Sequence, residues 1–99
     1  MRIHHEGDTV FIELEGDISF NNVQDIRKTI LNNLLETDRS AVVNLAKVEF
    51  MDSSGLSIFI TLLKRVKERG GDLILEYPQK IVQRILSLSR LDELMEIKM

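Results

Sequence analysis

FMDSSGLS, residues 50–57, is the stretch on which the reading of this chain turns. An apolar run ends there and a helix begins. Three polar side chains in a row, Asp52, Ser53 and Ser54, occupy the join. A helix start leaves backbone N–H groups without partners, and each of these side chains can accept from one of them. Capping explains one polar residue well and three in succession less well. Gly55 suits a close approach of backbone or a sharp turn. Position alone does not separate Ser53 from Ser54 as the hydroxyl put to chemical use.

The flanks of this stretch set the local fold. Upstream, AVVNLA (residues 41–46) is short and nearly continuous in apolar side chains, the pattern of a strand buried on both faces and usually parallel. KVEFMD then reads as a strand-to-helix connection. Downstream, a helix is expected from Ser53 or Ser54 to Arg69, stopped by Gly70-Gly71 with Gly70 left-handed. Leu56, Phe59, Ile60, Leu63 and Val66–Lys67 make its expected core stripe. Ile58 and Leu62 fall on a further flank near the turn, which makes them candidates for a docking patch.

Working outward, residues 2–6 and 9–15 read as two strands joined by a tight turn at Gly7-Asp8. Gly16-Asp17 closes the second. Asn21 or Asn22 is placed to cap a helix through about Leu35, with Val23, Ile26, Ile30 and Leu34 at helical spacing. TDRS forms a loop. DLILEY (residues 72–77) is a strand, and Pro78 precedes a helix whose stripe is Ile81, Val82, Ile85 and Leu86. A short helical turn holds Leu91, Leu94 and Met95, with Ile97 beyond. The order is ββαβαβα plus a short C-terminal element. It predicts an α/β fold, one domain over residues 1–99, with a mixed sheet of about four to five strands covered by helices.

Composition excludes several function classes. The 99 residues contain no cysteine, which rules out disulfides and thiolate metal sites and suits a reducing cytoplasm. Net charge is −3 with both signs mixed along the chain, and no basic patch interleaved with aromatics points to nucleic acid. The opening MRIHHEGDTV is charged and lacks the apolar core of a secretory signal. No apolar run approaches the roughly 20 residues that span a bilayer, so no direct membrane contact is expected. His4 and His5 are adjacent, so on a strand they point to opposite faces and serve neither a metal nor a triad together. The turn lacks the first glycine of a nucleophile elbow, and no phosphate-cradling GxxxxGK[ST] loop, HExxH or calcium loop occurs. No catalytic residue, metal ligand or cofactor site is expected, and the chain is not read as an enzyme.

From Phe50 to Leu75 the sequence runs F-M-D-S-S-G-L-S-x-F-x-x-L-x-K-x-x-K-x-x-G-G-x-L-x-L. This resembles the STAS domain, and more narrowly the bacterial anti-sigma factor antagonists. In that family D-S-[SAT]-G-L opens the second helix, and paired glycines end it before the last core strand. The tail V-x-x-[IL]-L-x-x-[ST]-x-L-D-x-[LF] fits Val82 to Leu94, and the resemblance extends over the whole chain. One departure stands out: Gly16-Asp17-Ile18 is followed by Ser19 where an aspartate is common.

The resemblance implies partner switching. The unphosphorylated form would bind an anti-sigma factor that is also a serine kinase, freeing the sigma factor for RNA polymerase. The kinase, which supplies ATP and magnesium, would phosphorylate the first serine of the motif, Ser53, and the complex would part. A separate serine phosphatase would reverse the step. Asp17, Ser19, Asp52, Ser53, Ser54 and Gly55, with Ile58 and Leu62, are the implied partner-contacting residues. Asp52 has two candidate roles: holding the loop through backbone hydrogen bonds, or meeting the kinase active site. A monomer is expected. The alternative is a STAS regulatory subunit of a membrane transport system, which shares the motif. A phosphate adds about −1.5 to −2 charge, and free N–H groups at the helix start are expected to stabilise it in part.

Overall fold

The computed structural model describes residues 1–99. Its elements are β1 (Arg2–Glu6), β2 (Thr9–Ile18), α1 (Val23–Asn33), β3 (Ser40–Met51), α2 (Leu56–Glu68), β4 (Leu73–Glu76), α3 (Lys80–Leu88) and β5 (Glu96–Lys98). Single 3₁₀ turns precede α2, at Ser53–Gly55, and follow α3, at Leu91–Glu93. The five strands lie in sequence order, β1-β2-β3-β4-β5. β1 and β2 form the antiparallel hairpin, turned by Gly7 at φ 59°, and all other neighbours are parallel. The α/β class and the mixed sheet are therefore as the sequence predicts. The C-terminal element supplies the fifth strand: Leu91 and Met95 are buried, whereas Leu94 is exposed.

Each parallel pair is bridged by one helix, and the strands march in one direction. Right-handed crossovers of that kind put every helix on the same face. Burial agrees. Val10, Ile12 and Leu14 of β2, Ala41, Val43 and Leu45 of β3, and Leu73 and Leu75 of β4 join Ile30, Phe59, Leu62, Val82 and Leu86 from the helices in one core. The alternate residues Phe11, Glu13, Val42, Asn44, Ile74 and Glu76 are only half-buried. The expectation that residues 41–46 are buried on both faces is thus corrected: the second face of the sheet has no helix over it.

The central strand is also longer than expected. KVEFM is not a connection but the second half of β3, paired with β2 to the end. The pairing passes from Glu13↔Asn44 to Glu15↔Lys47, and from Gly16↔Val48 to Asp17↔Phe50. At each step β3 carries one extra residue, a β-bulge. Inward positions therefore change spacing from two to three, giving Leu45, Val48 and Met51. Gly16, at φ 79°, lies within this irregular stretch, and β2 continues past it to Ile18.

α2 ends as the paired glycines predict. Gly70 takes φ 76°. The Gly71 N–H donates to Val66 O at 2.8 Å and the Gly70 N–H to Lys67 O at 3.1 Å, the two bonds of a Schellman motif. Below that end lies the only buried charged side chain, Asp38, at 2% exposure. Its carboxylate accepts the Leu35 N–H at 2.7 Å and lies 2.9 Å from His5 Nδ1. Arg69 donates to the carbonyls of Leu35 and Asp38. The loop before β3 is thus tied both to β1 and to the end of α2. His4 points the other way and stacks on Phe11, with ring centroids 4.8 Å apart.

Gly71 is fixed by packing. A Cβ there would lie 1.9 Å from the Arg39 carbonyl oxygen, and backbone cannot swing aside as a side chain can. Gly71→Ala is expected to lower the unfolding free energy by about 3 kcal/mol, the upper part of the usual range for overpacking. Urea denaturation should show the midpoint falling at unchanged slope.

Candidate functional site

β2 and β3 run parallel and end level, with Ile18 opposite Met51. Both side chains are buried, so the two loops that follow leave the sheet side by side. The Asp52 N–H donates to Ile18 O at 3.1 Å as the last rung. Asp52 itself is extended, at φ −93° and ψ 178°, and caps the turn that follows. Its Oδ1 accepts from the Ser54 N–H at 2.9 Å and from the Ser54 hydroxyl. Its Oδ2 accepts from the Phe20 N–H, in the other loop, at 3.2 Å. Its carbonyl accepts from the Gly55 N–H at 3.1 Å. One carboxylate therefore closes its own turn and clamps the β2–α1 loop to it.

That clamp has an electrostatic signature. The hydrogen bond from the Ser54 hydroxyl holds the Asp52 carboxyl below its ordinary value of 3.8. Partial burial opposes the shift, and the N–H groups of Phe20, Ser54 and Gly55 reinforce it. Asp52 is thus firmly ionised at neutral pH.

The β2–α1 loop is braced from inside. The Ser19 N–H donates to Asn22 Oδ1 at 2.9 Å, and Asn22 Nδ2 donates to Asp17 O at 2.8 Å. Ser19 Oγ accepts from the Asn21 N–H at 3.3 Å. Asn22 stands at the N-cap of α1, but its side chain makes no capping bond; it is turned back to hold the loop. Asp17 is exposed at the rim.

The two serines differ in their surroundings. Ser53 is exposed, and no hydrogen bond within the chain engages its hydroxyl. Ser54 is half-buried, with its hydroxyl committed to Asp52 and its carbonyl accepting from the Ser57 hydroxyl at 2.8 Å. Gly55 is buried and needed for close approach: a Cβ would sit 2.5 Å from Met51 Cγ and 3.2 Å from Ile18 Cγ2. Three N–H groups expected to be free for a phosphate are already taken, while no bond engages that of Ser53 itself. Those of Ser54 and Gly55 go to Asp52, and that of Leu56 goes to the carbonyls of Ser53 and Ser54.

Asp17, Ser19, Asp52, Ser53, Ser54 and Gly55 therefore come together at one end of the sheet. Ile58 and Leu62 do not belong to this surface. Each is 1% exposed and packed in the core, because α2 turns this flank toward the sheet and leaves Ile60 outside. The exposed apolar residues beside the turn are Phe20, at 74%, and Phe50, at 43%. Sequence reading passed over both. A phenylalanine in the polar run SFNN was the available signal for Phe20, and Phe50 was hidden by reading its segment as a connection. No group of three His, Asp or Glu side chains is placed to hold a metal, and no helix is long and apolar enough to cross a membrane.

The STAS domain family model matches residues 1–99. The chain belongs to the STAS domain family. It is 28% identical over 86 residues to the anti-sigma-B factor antagonist of Bacillus subtilis, covering 87% of this chain and 78% of that one. The structure of the anti-sigma factor antagonist SpoIIAA in its unphosphorylated form superposes with a TM-score of 0.84 at 24% identity, covering 99% of this chain and 87% of the other. The Bacillus SpoIIAA structure in the phosphorylated form gives 0.75 at 23% identity, covering 99% and 90%. These two likenesses establish the STAS fold.

The clamp makes stability depend on acid. A carboxyl with a lowered folded-state pKa contributes stability that is full above its unfolded value and lost as pH falls through the folded one. Asp52→Asn is therefore expected to be less stable than the unaltered protein at neutral pH. The gap should close as pH falls below 3.8. Thermal melts of both proteins across that acid range check this.

Proposed function

We propose that this chain is an anti-sigma factor antagonist, gripped by a serine-kinase anti-sigma factor at the Ser53 turn and released when Ser53 is phosphorylated. The observation that carries the reading is the Ser53 hydroxyl: exposed and unengaged, at the mouth of α2, inside the D-S-S-G motif. The clamped loops around it give a partner a rigid platform, with Asp17 and Ser19 on one side and Phe20 and Phe50 as apolar contacts. ATP and magnesium belong to the kinase, and a phosphoserine phosphatase restores the hydroxyl.

The switch is local. Phosphate at Ser53 adds about −1.5 to −2 charge next to the ionised Asp52. A partner surface shaped to a neutral hydroxyl must then desolvate a dianion without an adequate counter-charge. Such a mismatch costs several kcal/mol, and every 1.4 kcal/mol weakens binding about tenfold. No large conformational change is required.

Affinity capture with the unmodified chain, followed by mass spectrometry, is expected to retain a serine kinase. Retention of a transporter ATPase in its place would favour the transport-subunit reading. With the captured kinase and ATP, the chain should gain a single phosphate and Ser53→Ala none. Ser53→Asp should bind the kinase at least about tenfold more weakly by titration calorimetry. Undiminished phosphorylation of Ser53→Ala removes Ser53 from the mechanism.

A further inference from the structure

Two hydroxyls one residue apart present a kinase with a choice, and the geometry of the turn makes that choice. Ser54 gives both its N–H and its O–H to Asp52 Oδ1. Rotation of the carboxylate is opposed by its other oxygen, which accepts from the Phe20 N–H at 3.2 Å. The Ser57 hydroxyl, bonded to Ser54 O at 2.8 Å, steadies the same residue from the helix side. Ser53 has none of these restraints. We infer that Asp52 is a positioning residue for phosphoryl transfer, which makes Ser53 the sole acceptor by holding the Ser54 hydroxyl against its own carboxylate. The inference rests on the kinase-substrate reading above and deepens it.

The chemistry explains why the hold matters. In the transfer, Ser53 Oγ forms a bond to the γ-phosphorus of kinase-bound ATP. The bond from that phosphorus to the β,γ-bridging oxygen breaks, ADP departs with the electron pair, and the hydroxyl proton passes to a base of the kinase. Attack by Ser54 Oγ would bring the polyanionic γ-phosphate within contact distance of a carboxylate. A phosphate left on Ser54 would then stand against that carboxylate, with two like charges sharing one small site. The low pKa of Asp52 means that protonation does not relieve this repulsion at neutral pH.

Ser54 masking also gives Phe20 a role through its backbone. Its N–H belongs to the β2–α1 loop, so the loop that frames the partner surface also fixes the carboxylate that selects the serine. The two loops act as one unit, and loosening either is expected to blur the choice of acceptor.

The test uses the captured kinase with magnesium–ATP and localises phosphate by tandem mass spectrometry. The unaltered chain is expected to carry phosphate on Ser53 alone, and Ser53→Ala to stay unmodified because Ser54 remains held. In Asp52→Ala the share on Ser54 should rise by about tenfold or more, the loss of a charge-assisted hydrogen bond read as a ratio. Asp52→Asn, which keeps an acceptor for Ser54 but sets a donor near the Phe20 N–H, should fall between. If Asp52→Ala fails to fold, Asp52→Asn carries the comparison. Independently of any kinase, amide exchange of Ser54 and Phe20 should speed up together in Asp52→Ala, and that of Phe20 alone in Asp52→Asn. Phosphate confined to Ser53 in both variants overturns the inference. So does a variant that takes no phosphate while both amides stay protected. An unaltered chain that no kinase modifies sinks the functional reading instead, and the amide exchange then still decides whether Asp52 holds Ser54.

Discussion

The parallel ladder between β2 and β3 is the constraint on which the site depends. Its register runs from Thr9↔Ser40 to Ile18↔Met51. Parallel strands deliver their C-terminal ends to the same edge of the sheet, the place where open α/β sheets build their sites. Because these two end level, Phe20 and Asp52 come within one hydrogen bond of each other. A slip of one residue would turn Met51 out of the core and carry Asp52 away from Phe20. The buried pair Ile18 and Met51 resists that slip, and Gly55 packs against both. Core packing and site geometry are therefore enforced by the same few side chains.

Much of this was legible in the sequence, and the parts that were not share a cause. The hairpin, the three helices, the glycine stop and the DSSG turn follow from local chemistry that periodicity and turn residues report directly. The sequence pattern shortens β3 because its second half breaks the period of two. Lys47, Glu49 and Phe50 look like a polar connection until two bulges are allowed for, after which Val48 and Met51 fall inward. A bulge is a property of the pairing between strands, and one strand's sequence does not announce it. The bare second face was hidden for a related reason. Val42 is apolar and only half-buried, so a continuous apolar run mimicked a strand covered on both sides.

The helix α2 shows a different limit. Leu56, Ile58, Phe59, Ile60, Leu62 and Leu63 surround most of its circumference, so spacing gives the helix but not its phase. Tertiary packing chose Ile58, Phe59, Leu62 and Val66 for the interior. Ile58 and Leu62, by spacing candidates for a docking flank, are core, and Ile60 is surface. The other six candidates, Asp17, Ser19, Asp52, Ser53, Ser54 and Gly55, do not depend on that phase, because they are placed by the level ends of β2 and β3. The brace on Asp38 was invisible for the opposite reason: its partners His5, Leu35 and Arg69 are gathered from three separate segments.

The closed hydrogen bonding of the turn bears on where the energy of a phosphate would go. At an uncapped helix start, free N–H groups and the helix dipole would take up part of the charge. Here the N–H groups of Ser54, Gly55 and Leu56 are all engaged before any modification. The preceding residue, Asp52, is anionic, and neither loop of the site carries a Lys, Arg or His. A phosphate on exposed Ser53 would therefore find the N–H of Ser53 as the one donor of the turn with no bond in place, and would remain directed largely at solvent. Its cost falls on any surface that tries to cover it. A turn that neutralised such a phosphate would hide its charge, whereas one with most donors engaged would leave most of that charge to any surface that covers it.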